Sequence, residues 1–160
     1  MAGTDVGSSS STETAGPSTI DMALEVVTLP VSDVDRAKAF YQSLGWRFDI
    51  DLVISDDLRT VQFTPPHSPC SIQFGKGGSR AEPGSAQMTF LVVEDIDAAR
   101  DDLISRGVEV SEVQEARPPG FDPPEGERSY FARASFSDPD GNSWVLQEIT
   151  TRLPGRTWED

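Results

Sequence analysis

Leu29–Trp46 reads LPVSDVDRAKAFYQSLGW, and Phe90–Val110 reads FLVVEDIDAARDDLISRGVEV. Val31, Asp33, Asp35, Ala37, Ser43 and Gly45 of the first stretch match Val93, Asp95, Asp97, Ala99, Ser105 and Gly107 of the second, each pair 62 positions apart (93 − 31, 107 − 45). Both copies read as an apolar strand, an acidic turn, a short helix that stops near a glycine, and another strand. Six matches at one offset, both helix-stop glycines among them, speak for an internal duplication. Two copies of one supersecondary unit can face each other, and the surface between them is a natural binding cleft.

Working outward from the repeat, Met22–Val31 is apolar and rich in β-branched residues and predicts a strand. Ser32 or Asp33 can cap the helix that follows, Ala37, Phe40, Tyr41 and Leu44 form its apolar stripe, and Gly45 supplies the left-handed stop. Trp46–Asp51, Arg59–Thr64 and Ser71–Phe74 predict three more strands, with the proline-rich Thr64–Pro69 as a loop. Gly75–Gly84 is rich in Gly, Ser and Pro and places a linker at 76–86. The second copy then predicts strand Met88–Val93, helix Asp97–Ser105, strand Val108–Val113, a long loop Gln114–Ser129, and strands Tyr130–Ser137 and Ser143–Thr150. The last two are joined by Asp138-Pro139-Asp140-Gly141-Asn142, in which Pro presets one dihedral, Gly takes φ > 0, and Asp and Asn bond back to the backbone. Each half is β-α-β-β-β. The fold class is therefore α+β: two tandem βαβββ modules, residues 20–75 and 87–150, in a curved eight-stranded sheet around a cleft with the helices outside.

With 160 residues, the chain is long enough for one domain that buries about 68–70% of its unfolded surface. Residues 1–19 are Ser, Thr, Gly and Ala with two acids and are expected to be a disordered tail; 20–150 form the domain and 151–160 a C-terminal tail, basic at Arg152 and Arg156. The start of the chain carries no basic-then-apolar secretory pattern, and no stretch approaches the roughly 20 apolar residues of a membrane span. The single Cys70 fits a reducing compartment, so a cytoplasmic location is expected. A net charge of −14 argues against a nucleic-acid partner, which needs a basic face.

The two quoted stretches, followed by FSDPDGNSWVLQE (Phe136–Glu148), resemble the vicinal oxygen chelate superfamily, which includes glyoxalase I, extradiol dioxygenases, fosfomycin-resistance and bleomycin-resistance proteins. The resemblance covers residues 23–150, and the Asp-Pro-Asp-Gly-Asn turn is its most telling piece. It implies that metal-dependent relatives carry His, Gln or Glu at four cleft positions, which fall here on Val26, Gln73, Met88 and Val145. A hard divalent ion needs O or N donors from several directions; two valines offer none, a thioether is a poor partner, and one Gln is not a site. No cofactor is therefore expected. The alternative is one divalent metal held through shifted ligands, Glu25, Gln73, Gln87 and Glu148, which requires a matched one-residue slip in both copies that would turn each strand over.

Strand alternation from the four implied positions gives a cleft wall of Val26, Thr28, Ser71, Gln73, Met88, Phe90, Val145 and Gln147. That set is mostly apolar with a few amides and hydroxyls, the character of a small-molecule pocket. Tyr130, after the long loop, joins it as a ligand contact; Arg128 is either a second ligand contact or a partner for a surface acid, and Arg59 is a weaker pocket candidate. Trp144 alternates with Val145 and is expected in the core, Cys70 is read as a structural thiol, and His67 as a solvated loop residue. Catalytic residues stay unassigned. Three readings are open. The first is a metal-free homodimer that binds, and so sequesters, a small aromatic or natural-product-like ligand, as the resemblance to bleomycin-resistance proteins implies. The second is a lyase or dioxygenase-like enzyme, metal-independent or using the shifted ligands. The third is a scaffold with an interaction role alone. The first is taken forward.

Overall fold

The computed structural model describes residue 16, residues 18–120 and residues 126–152. Most of the expected N-terminal tail, part of the long loop and the end of the C-terminal tail lie outside the described residues. The element order is β1 (Val26–Thr28), α1 (Val34–Ser43), β2 (Arg47–Ser55), β3 (Leu58–Thr64), β4 (Ser71–Lys76), β5 (Thr89–Val93), α2 (Ile96–Ser105), β6 (Gln114–Glu115), β7 (Ala132–Ser137) and β8 (Ser143–Glu148). These are the two βαβββ modules expected. Hydrogen bonding divides the eight strands into two sheets of four, ordered β1-β4-β3-β2 and β5-β8-β7-β6, with one parallel pair in each.

The repeat produces matching helices for matching reasons. Asp33 Oδ1 accepts from the Arg36 N–H at 3.0 Å and Asp95 Oδ1 from the Ala98 N–H at 2.9 Å, so each acid satisfies an otherwise orphaned donor at a helix start. Gly45 and Gly107 sit at φ 74° and 85°, where a Cβ would be strained, and their N–H groups return to Gln42 O and Ile104 O.

One expected strand does not form. Val108–Val113 alternates correctly, yet it runs beside β7 as irregular backbone. The Ser111 hydroxyl accepts from the Ser135 N–H at 2.9 Å, and Arg100 Nε donates to the Ser111 carbonyl at 2.8 Å. Side chains occupy the groups that a ladder would use, so pairing is confined to Gln114–Glu115. The first strand is also shorter than expected, Val26–Thr28 in place of Met22–Val31; at its C-terminal end Pro30 has no N–H to donate to a ladder.

The helix-facing sides of both sheets pool into one core. Tyr41, Trp46, Phe63, Ile72 and Phe74 from the first module meet Leu103, Val108, Phe136, Trp144 and Leu146 from the second. Trp144, 1% exposed, lies edge-on to Trp46 with ring centroids 5.3 Å apart and stacks on Phe136. The Asp138–Asn142 turn locks this junction. Asp138 Oδ1 accepts from the N–H groups of Asp140 and Asn142 inside the turn. Its Oδ2 accepts from the Tyr41 hydroxyl at 2.9 Å, and the Tyr41 oxygen in turn accepts from Trp144 Nε1 at 3.2 Å. Buried Asn142 donates through Nδ2 to Pro30 O at 2.9 Å and accepts from the Ala86 N–H, tying the end of the first strand, the linker and the turn together. Burial, reinforced by the negative charge of Asp138, pushes the Tyr41 phenol far above its usual range, so it stays a neutral donor.

Candidate functional site

With the helix sides committed to the core, the other side of each sheet is what remains to meet a ligand. On the first sheet the pairing of Thr28 with Gln73, Gln73 with Gln62, and Gln62 with Ile50 puts these residues on one face, with Val26, Thr60, Thr64 and Leu52. Gln73 Nε2 donates to Thr28 Oγ1 at 2.8 Å, and Thr64 and Ser71 share a hydrogen bond of 2.8 Å. A register shift between Phe48 and Ile50 turns Asp49 onto the same face, where it accepts from Thr64 Oγ1, Gln62 Nε2 and Arg47 Nε. Burial opposes the charge, but these three donors outweigh it and hold the Asp49 carboxyl below its usual range.

On the second sheet Phe90 pairs with Val145, Val92 with Gln147, and Gln147 with Arg133. Phe90 and Val92 are 41% and 45% exposed, as are Ile50 and Leu52 of the first sheet at 41% and 46%. Gln147 Nε2 donates to the Tyr130 carbonyl at 2.9 Å, which closes one end of this face. Tyr130 itself is held at φ 70°, and Met88 at φ 57°. A side chain other than glycine rarely adopts that conformation, and such residues concentrate where a site dictates backbone shape.

Seven of the nine expected ligand contacts therefore fall into two groups, Val26, Thr28, Ser71 and Gln73 on one sheet and Phe90, Val145 and Gln147 on the other, and Tyr130 meets the second group through its backbone carbonyl. Met88 precedes β5 and its positive φ breaks the alternation assumed for it; its N–H is anchored on Ser143 Oγ at 2.7 Å and its side chain is exposed. The two groups lie on separate sheets, each on the side away from the shared core. Cavities of about 740 Å³, against Phe40, Val108 and Phe136, and about 480 Å³, beside His67, touch none of the nine. Asp49, Gln62, Val92 and Arg133 belong to these faces and were missed. Arg133 was readable, because Ala132, Ala134 and Phe136 around it are core.

Other candidates are engaged elsewhere. Arg59 lies on the helix side, bonded to Asp51 through Nε and Nη2 at 2.8 Å and to Asp35. Arg128 pairs with Asp97 at 2.8 Å and with Glu115. His67 sits in an exposed loop at φ 58°, and burial raises the Cys70 thiol above its usual value.

Of the shifted metal ligands, Glu148 lies on the helix side, its Oε2 accepting from the Ile96 N–H at 3.1 Å. Gln87 bonds to the carbonyls of Gly84 and Gly141. The strand slip that this set needs is not present in β8. The unshifted set, Val26, Gln73, Met88 and Val145, presents one amide and no other hard donor, so these residues do not fit a divalent ion.

A family model described as the glyoxalase/bleomycin resistance protein/dioxygenase superfamily matches residues 23–146, and the chain belongs to that superfamily. No curated protein sequence matches. Among solved structures, TnmS3, an antibiotic binding protein from Streptomyces sp. CB03234, is 28% identical, with a TM-score of 0.63 over 84% of this chain and 100% of its own. A glyoxalase/bleomycin resistance protein from the same strain is 29% identical, with a TM-score of 0.59 over 78% of this chain and 99% of its own. A superfamily member from Sphaerobacter thermophilus DSM 20745 is 28% identical, with a TM-score of 0.59 over 80% of this chain and 98% of its own. Among the described residues no helix is long and apolar enough to cross a membrane.

Proposed function

We propose that this chain binds a small aromatic or natural-product-like ligand without a metal ion, in a cleft that a second copy completes, and that it sequesters that ligand as a resistance protein would. The observation that carries the reading is the pair of outward sheet faces, both with exposed apolar side chains, the first joined to interlinked hydroxyls and an amide and the second to Gln147 and Arg133. A monomeric protein seldom leaves such contiguous apolar surface uncovered. Within one chain the two faces flank a common core, so a two-fold pair of chains, each offering the first face of one to the second face of the other, is the economical way to enclose a ligand. The antibiotic-binding character of TnmS3 supports the ligand class. The apolar residues at three of the four implied metal positions support metal independence.

The test is made on untagged protein purified without chelator. Sedimentation velocity and native mass spectrometry are expected to give a dimer, and elemental analysis less than about a tenth of an equivalent of any divalent metal, since the wall lacks hard donors. Near one equivalent of a single metal, lost in Gln73→Ala, would replace this reading with a metal-dependent lyase or dioxygenase. A monomer at all concentrations would remove the shared cleft.

A further inference from the structure

Arg133 is the one formal charge on the ligand side of the second sheet among its described strand residues. Strand β8 lies between Arg133 on β7 and Phe90 on β5, yet the guanidinium carbon sits 5.6 Å from the Phe90 ring centroid. The side chain must therefore cross β8 over Val145 and Gln147, which accounts for the 9% exposure of both on an otherwise open face.

Its hydrogen bonding is incomplete. Nη2 makes a long 3.4 Å contact to the Tyr130 carbonyl, and Nε is buried without an acceptor. Seven other arginines, at 36, 47, 59, 100, 106, 117 and 128, pair with carboxylates, as a net charge of −14 makes easy. Arg133 has no carboxylate partner among the described residues. A guanidinium with a buried, unsatisfied Nε, held over an aromatic ring, is arranged for an aromatic ligand that carries its own anionic oxygen.

We infer that Arg133, held over Phe90, is the specificity-determining anchor of the pocket, selecting aromatic ligands that bear an anionic oxygen such as a carboxylate or phenolate. This rests on the small-molecule reading proposed above and narrows its ligand class. It also runs against the simple expectation that an acidic protein prefers cations: the surface is acidic, while the ligand face of the second sheet is not.

The probes are 2-naphthoate and its neutral isostere 2-naphthamide, titrated into the full chain by calorimetry in about 0.15 M salt, where surface repulsion is screened. The wild type is expected to prefer the carboxylate by about ten- to a hundred-fold, the range of a charge-assisted hydrogen bond. R133M keeps the apolar stem over β8 and removes the donors; it should abolish the preference for the carboxylate. R133K keeps the charge without the fork and should recover only part of it. Equal wild-type affinities, or a preference that survives R133M, would overturn the assignment of Arg133 and leave the aromatic pocket standing. Failure of both probes to bind the wild type would overturn the pocket reading and this inference with it.

Discussion

Asn142→Ala tests how the two modules are held together. Asn142 is 1% exposed and its side chain makes three hydrogen bonds: to Pro30 O at 2.9 Å, to Asp138 Oδ2 at 2.7 Å, and from the Ala86 N–H at 3.1 Å. Truncation leaves Pro30 O its bond from Gly84 and Asp138 Oδ2 its bond from Tyr41, but the Ala86 N–H loses its partner. An orphaned donor costs about 1–3 kcal/mol and a lost bond to a carboxylate about 1.5–3. Allowing for relief from burying the amide, the net loss is about 3–4 kcal/mol, a large share of the 5–15 typical of a domain. Urea unfolding followed by tryptophan fluorescence should show the midpoint falling by roughly 1.5–2 M at an m-value near 2 kcal/mol/M that does not change. Adding Tyr41→Phe strips Asp138 Oδ2 of both side-chain donors, so the double variant should lose more than the sum of the singles. A loss below about 1 kcal/mol in Asn142→Ala would mean that the turn is held by its backbone alone and that Asn142 does not fasten the modules.

Two further perturbations check other parts of the argument. Arg59, then Lys38, hold the Asp51 carboxyl well below the usual carboxylate range. A depressed folded pKa stabilises above the unfolded value of about 4 and loses that contribution as pH falls below it. Asp51→Asn should therefore cost about 1–2 kcal/mol at pH 7, and the gap to wild type should narrow between pH 4 and pH 2 in urea titrations; a constant gap down to pH 2 would refute the pairing. Met88→Gly should be neutral or stabilising by up to about 1 kcal/mol, where glycine ordinarily costs that much, because φ 57° suits glycine. A calorimetric Tm lowered by several degrees would show that the backbone there is unstrained.

Much of the fold was legible because short-range rules determine it. Asp33 and Asp95 cap, Gly45 and Gly107 stop, and the Asp138–Asn142 turn closes for reasons contained within a few residues of each. Val108–Val113 misled because alternation reports which side a residue faces, not whether a ladder forms; the hydroxyl of Ser111 and the guanidinium of Arg100 decided that. The same limit governs the site. Alternation placed Thr28 on the face of Val26 and Gln147 on that of Val145, but it carries no information on the bulge that turns Asp49 onto the face. Nor does it say that Met88 leaves the strand geometry. Above all, a period of two assigns each residue to a side of its own sheet and is silent on what that side meets, so the common core behind the two faces emerged only in three dimensions.

The repeat is imperfect at one place that matters. Sixty-two positions beyond Tyr41 and Trp46 stand Leu103 and Val108, also buried, but without the hydroxyl that reaches Asp138 or the ring that meets Trp144. The junction between the halves is thus heterologous rather than self-complementary. Two separately expressed fragments, cut within 76–86, should recombine on mixing as one of each, read by native mass spectrometry, whereas either fragment paired with itself would lack the Tyr41–Asp138 and Trp46–Trp144 contacts. What began as a repeat now behaves as a matched pair, with one half shaped as the key to the other.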